Sequence, residues 1–237
     1  MRHAVGKFWP HCFPMKPSDT ISVLVCVHSR DDQHDQMLSR ALESLARQTF
    51  DDFETIVVMD ECWAFTRSHV DAYAGVLNLS VFERHKKEGL AFAKNFGIAK
   101  SNRDWIAYLD ADDTWMDCKL EVQRNYMIAN PDIDFCGTES WDRDPATDII
   151  TPNCFAIGQY ESHIEIAKRL PRENVMCHGS MMVRRTAVQA LNGYSTERRV
   201  LGFEDWDLWA RAINSNYIFG KVPERLYVWS AGTSVSR

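Results

Sequence analysis

Apolar residues along this chain fall into short continuous runs separated by segments with helical spacing. Ile21 to Val27 (ISVLVCV) is rich in β-branched residues and lacks polar alternation, which predicts a strand buried on both faces. Glu54 to Met59, Leu79 to Glu83 and Trp105 to Leu109 repeat that pattern. Between them, Gln36 to Arg47 places Leu38, Ala41, Leu42 and Leu45 on one helical face, and Gly89 to Lys100 does the same with Leu90, Ala93, Phe96 and Gly97. A weaker helix is predicted over 65–74 and another over 115–129. Four alternations of strand and helix predict an α/β fold with a mostly parallel central sheet.

The second half is less regular. It predicts a strand over Ile133 to Gly137, a loop with a short strand over 141–158, and a helix over 160–169 that stops before Pro171. A strand over Ser180 to Val183 precedes a short helix, Thr186 to Leu191, closed by Asn192-Gly193. Glu204 to Asn214 reads as a helix, and 218–222 and 225–229 as edge strands. Residues 1–20 read as an irregular arm because Pro10, Pro14 and Pro17 break any period. With no linker between the halves, residues 21–237 are expected to form one domain.

Composition narrows the function classes. Of 237 residues, 33 are acidic and 27 basic, a formal net charge of −6, which argues against a general nucleic-acid partner. Seven cysteines without a C-x-x-C spacing suggest free thiols rather than a zinc site or a disulfide framework. Apolar runs stay far below the ~18–20 residues of a membrane span, so a cytoplasmic protein is expected.

In open α/β sheets ligands bind beyond the carboxyl ends of the strands. Those positions hold His28-Ser29-Arg30, Asp60-Glu61 and Asp110-Ala111-Asp112-Asp113. Three carboxylates in four residues repel one another, and a hard divalent cation would relieve them. The competing reading is helix capping. Thr114-x-x-Asp117 has the spacing of a capping box, and Asp113 is assigned to the helix N-terminus. Glu204-Asp205 follows Gly202-Phe203 at a predicted helix start, where an acid suits the dipole but also suits a general base. Trp141, Trp206, Trp209 and Trp229 are either core or sugar-stacking faces. Arg184-Arg185 and Arg198-Arg199 are either solvated or contacts for an anionic acceptor.

Taken in order, ISVLVCVHSR, ETIVVMDE, EGLAFAKNFGIA, WIAYLDADDTW and GFEDWDLWAR resemble the family 2 glycosyltransferases of the GT-A fold, from about Ile21 to Ser236. The resemblance implies a Rossmann-like nucleotide-binding half over 21–115 and a smaller acceptor-binding half over 116–237. It implies transfer of a sugar, with inversion, from a nucleotide diphosphate sugar to a saccharide or lipid-linked acceptor, usually with Mn2+ or Mg2+. Carried over by position, His28, Ser29 and Arg30 would line the nucleotide pocket, and Asp60 would contact the base, typically uracil. Asp110 and Asp112 match the DXD motif, with Asp112 the metal ligand and Asp110 near the ribose and sugar. Asp205 matches the catalytic base. The chain departs from the family pattern in three places: Glu61-Cys62 follows Asp60, Lys94 stands where an arginine is common, and no His or Arg precedes Ser230. His178 is a candidate to stand in for that missing ligand. A nucleotidyltransferase and a non-catalytic nucleotide-sugar-binding module are the alternatives, the first disfavoured because HSRDDQ contains no glycine.

Overall fold

In a computed structural model of the chain, residues 19–86, 88–153 and 162–230 are described. The N-terminal arm falls outside them, except for Asp19 and Thr20. The four predicted strands of the first half form at Ile21–Val27 (β1), Phe53–Asp60 (β2), Leu79–Arg84 (β3) and Trp105–Asp110 (β4). All four run parallel, with β1 between β2 and β4. Alternation along β1 explains the layers. Val23 and Val25 pack on one face with Leu38, Ala41, Leu42 and Leu45 of the helix Asp32–Ala46 (α1). Leu24 packs on the other with Ala91, Ala93 and Ile98 of Leu90–Lys100 (α3). α1 starts four residues before the predicted Gln36, because Asp31 caps it by accepting from the His34 N–H at 3.0 Å. A short helix, Thr66–Asp71 (α2), covers the same face as α1.

Beyond β4 the chain departs from expectation at three points. Thr114–Trp115 is a short strand (β5), not a capping box, and the following helix, Lys119–Ala129 (α4), begins at Lys119. Pairing of β5 with a distant strand overrides the local signal. The expected fifth strand runs further than its apolar core, over Phe135–Arg143 (β6), with Ile150–Pro152 (β7) antiparallel to its end. The two expected edge strands are one twelve-residue strand, Phe219–Ser230 (β9), lying between β6 and β5 inside the sheet. Register shifts against Thr138, Glu139 and Ser140 form a bulge around Pro223, where the proline's missing N–H is not needed.

The remaining elements are His163–Arg169 (α5), Met182–Arg184 (β8), Arg185–Ala190 (α6) and Glu204–Asn214 (α7). The sheet order is β3-β2-β1-β4-β8-β6-β9-β5, mostly parallel, with β8 antiparallel to both neighbours. No helix among the described residues is long and apolar enough to cross a membrane. The five described cysteines, Cys26, Cys62, Cys118, Cys136 and Cys177, are free thiols.

One ion pair fastens β9 to β6 beside the bulge. Lys221 and Glu139 pair with side chains only 1% and 7% exposed. Removing one partner of a buried pair strands the other charge. Lys221→Met is therefore expected to lower unfolding stability by about 3–5 kcal/mol, whereas Lys221→Met combined with Glu139→Leu recovers most of the loss. Urea unfolding followed by circular dichroism measures both. Equal stability of the native chain and the single variant would contradict this role.

Candidate active site

The carboxyl ends of β1, β2 and β4 open into a cleft of about 880 Å³ whose far wall is built from the second half of the chain. Parallel strands bring their ends to one edge, so His28, Asp60, Asp110 and Asp112 all line it. Lys94 enters from α3, and Glu204 and Asp205 from the first turn of α7. Of the residues expected in the nucleotide pocket, Ser29 and Arg30 do not line the cleft. Ser29 is buried in the turn after β1, its hydroxyl donating to the Asp31 carbonyl at 3.2 Å and its N–H to Cys62 Sγ at 3.3 Å. Arg30 is exposed.

Each carboxylate has distinct partners. Asp60 is buried, takes the Gly89 N–H at 3.2 Å on Oδ2, and faces Arg84 at 3.5 Å. His28 Nδ1–H donates to the Asp60 carbonyl at 2.7 Å. Asp110 Oδ1 lies 2.9 Å from His178 Nδ1. Burial alone would raise the Asp110 carboxyl, but the His178 ring, its hydrogen bond and Lys94 outweigh it and bring it down to about 2. Asp112 turns to the cleft.

Asp113 is not a helix cap. It is buried, and accepts the Tyr227 hydroxyl and the Ser230 N–H, the latter at 2.7 Å, so it pins the end of β9. Burial first, then the charges of Asp112 and Asp110, push its carboxyl well above the usual range.

Asp205 stands on the wall of the cleft built by the second half of the chain. Its Oδ2 accepts from Asn174 Nδ2 at 2.9 Å and its Oδ1 from the Trp206 N–H at 2.7 Å. Gly202, with φ +83°, turns the backbone just before it. Trp229 lines the cleft, while Trp209 is buried against Phe135 and Phe219. Trp206 donates to the Leu170 carbonyl at 2.6 Å, and Trp141 to the Arg225 carbonyl at 3.1 Å. Arg184 and Arg185 are structural, donating to the Ile133 and Arg103 carbonyls at 3.1 and 2.6 Å.

Asn174, Tyr194 and Tyr227 carry no periodic or motif signal. They lie in loops or in a strand whose sequence reads only as core, and only tertiary packing brings them to the acids.

The site favours oxygen chemistry over thiol chemistry. Burial pushes the thiols of Cys26 and Cys177, both on the cleft wall, up to about 12, so neither is a nucleophile at neutral pH. Among the described residues no three His, Cys, Asp or Glu side chains converge to cage a cation. Asp112 nevertheless offers the hard oxygen donor that Mg2+ or Mn2+ takes when the remaining ligands are phosphate oxygens and water, and this donor set fits such an ion.

A family model described as "Glycosyl transferase family 2" matches residues 22–191, and one described as "N-terminal domain of galactosyltransferase" matches residues 162–228. The O-antigen biosynthesis glycosyltransferase WbnJ of Escherichia coli is 28% identical over 207 residues, 83% of this chain and 72% of that protein. The amylovoran biosynthesis glycosyltransferase AmsE of Erwinia amylovora is 24% identical over 227 residues, 90% of this chain and 77% of that protein. Among solved structures, S. aureus TarS 1-349 in complex with UDP-GlcNAc superposes with a TM-score of 0.73 at 16% identity, covering 91% of this chain. The mannosyltransferase PcManGT from Pyrobaculum calidifontis, in complex with GDP-Man and Mn2+, gives 0.69 at 18% identity, also over 91%. This chain spans only 59% and 58% of those two chains. The structural likenesses establish the GT-A fold. With a family model running from β1 through α6, the chain belongs to glycosyl transferase family 2.

Proposed function

We propose that the chain is the catalytic domain of an inverting glycosyltransferase. It would move a sugar from a nucleotide diphosphate sugar, UDP-sugars foremost, to a hydroxyl of a saccharide or lipid-linked acceptor in cell-surface glycan synthesis. The observation that carries this reading is the convergence on one cleft of strand-end acids from the first half with Asp205 from the second. Asp60, with His28 beside it, contacts the base, Asp110 the ribose and sugar, and Lys94 adds positive charge near the diphosphate. A Mn2+ or Mg2+ ion, when bound, would be held by Asp112 and supply Lewis-acid neutralisation of the diphosphate.

Asp205 takes the proton of the acceptor hydroxyl. The freed oxygen attacks C1 from the side opposite the diphosphate. The C1–O bond breaks, its electron pair leaves with the nucleoside diphosphate, and the configuration inverts. Asn174 and the Trp206 N–H each occupy one Asp205 oxygen, fixing the carboxylate while leaving lone pairs for the acceptor. The names of WbnJ and AmsE, and the nucleotide sugars bound to TarS and PcManGT, support the glycan and donor assignments. The family match leaves the nucleotidyltransferase alternative without support.

A donor-hydrolysis screen across UDP-, GDP- and TDP-sugars is expected to give turnover with one nucleotide class, UDP first. Binding of a nucleotide sugar without hydrolysis or transfer would make the chain a binding module instead. Base catalysis is typically worth ~10²–10⁴-fold. Asp205→Asn should therefore cut turnover by about that factor and leave donor affinity nearly unchanged. Full activity in this variant would remove Asp205 from the mechanism.

A further inference from the structure

A single imidazole bridges the end of β4 and the loop after α6. His178, in the short turn His178–Ser180, has a side chain 9% exposed and stacks on the Tyr108 ring with centroids 4.8 Å apart. Its Nδ1 lies 2.9 Å from Asp110 Oδ1, and its Nε2 lies 2.9 Å from the Tyr194 hydroxyl. A carboxylate only accepts, so Nδ1 carries the proton and donates. Nε2 is occupied by the Tyr194 hydroxyl whether the ring is neutral or charged. No ring lone pair is left for a cation.

The far end of this bridge is anchored as well. Asn95 Nδ2 donates to the Tyr194 carbonyl at 2.8 Å, and the Tyr194 N–H donates back to Asn95 Oδ1 at 2.8 Å. The close approach requires Gly193, which has φ +66° and where a Cβ would sit 2.2 Å from Asn95 Oδ1. Lys94 Nζ lies 5.1 Å over the Tyr194 ring. A continuous chain of contacts therefore runs from α3 through Tyr194 and His178 to Asp110. The turn also lies close to the other carboxylate oxygen, where only glycine leaves room: a Cβ at Gly179 would fall 3.0 Å from Asp110 Oδ2.

We infer that His178 is a positioning residue: held by Tyr194, it fixes the rotation of the Asp110 carboxylate toward the donor and is not a metal ligand. This rests on the reading of Asp110 as a donor-binding group. A side chain already held in its bound rotamer does not lose that freedom on binding. Partners that orient a ligating group are typically worth ~10–100-fold.

The test compares two substitutions. Asparagine can present an amide N–H near the position of Nδ1–H, and alanine cannot. His178→Ala is expected to weaken affinity for UDP or GDP with Mn2+ by ~10-fold or more. His178→Asn should recover most of that loss. Thermal midpoints of the two variants should be alike, because both lose the stacking on Tyr108. Native affinity in His178→Ala, or equal loss in both variants, overturns the proposal.

Long-range ¹H–¹⁵N NMR of the ligand-free native chain gives an independent reading. The His178 signal is assigned by its disappearance in His178→Asn, and it should show a protonated Nδ1. An unprotonated Nδ1 overturns the proposal regardless of nucleotide binding. Failure of the native chain to bind either nucleotide, with Nδ1 protonated, would instead overturn the proposed function.

Discussion

The crowding of Asp110, Asp112 and Asp113 at the end of β4 is the constraint on which the rest of the site depends. Two like charges ~5 Å apart repel by roughly 3 kcal/mol at an effective dielectric of ~20. The fold resolves this by giving each acid a different fate. Asp113 is buried beneath hydroxyl and backbone donors from β9. Asp110 is clamped by His178. Asp112 lines the cleft, where a bound cation would offset its charge. The second half of the sheet therefore does more than cover apolar surface, since β9 and the turn at His178–Ser180 supply the donors that make the acidic cluster tolerable.

The same arrangement joins the two halves mechanically. β9 crosses the bulge at Pro223 and reaches β5, so the strand that satisfies Asp113 also pairs with the residues immediately following it. Trp115 Nε1 donates to the Gly179 carbonyl at 2.8 Å, and Gln123 Nε2 to the Ser180 carbonyl at 3.1 Å. The turn carrying His178 is thus held from beneath by β5 and α4. Asp205 reaches the cleft from a helix whose apolar face, Leu208, Trp209 and Ala212, packs in the core on the α3 side of the sheet. Asp60, Asp110 and Asp112 on one side of the cleft and Asp205 on the other are accordingly carried on elements that share a core rather than on separate bodies.

Much of this was legible in the residues. The four β-branched runs announced a parallel sheet, and parallel strands necessarily present Asp60, Asp110 and Asp112 at one edge. Failures came where a local pattern competed with distant pairing. Thr114 and Asp117 have capping-box spacing, yet Thr114 belongs to a strand whose partner lies more than a hundred residues away. Pro223 reads as a break, and only the register of β6 reveals the bulge that accommodates it. The polar first turn of α1, from Asp32, carries no apolar period and so gives no periodic signal of where the helix begins. Ser29 and Arg30 sit beside His28 in sequence, but the turn buries one and points the other to solvent. Asn174 and Tyr194 were invisible because a loop residue's role depends on what folds against it.

Asp112 lines the cleft, where we propose that it meets a cation bringing the donor diphosphate. Calorimetric titration of UDP and GDP into the native chain, with and without Mn2+, tests it most directly when repeated on Asp112→Asn. Nucleotide binding is expected to depend on the metal and to be weakened in the variant. Equal affinity with and without metal, or an Asp112→Asn chain that binds like the native one, would contradict it.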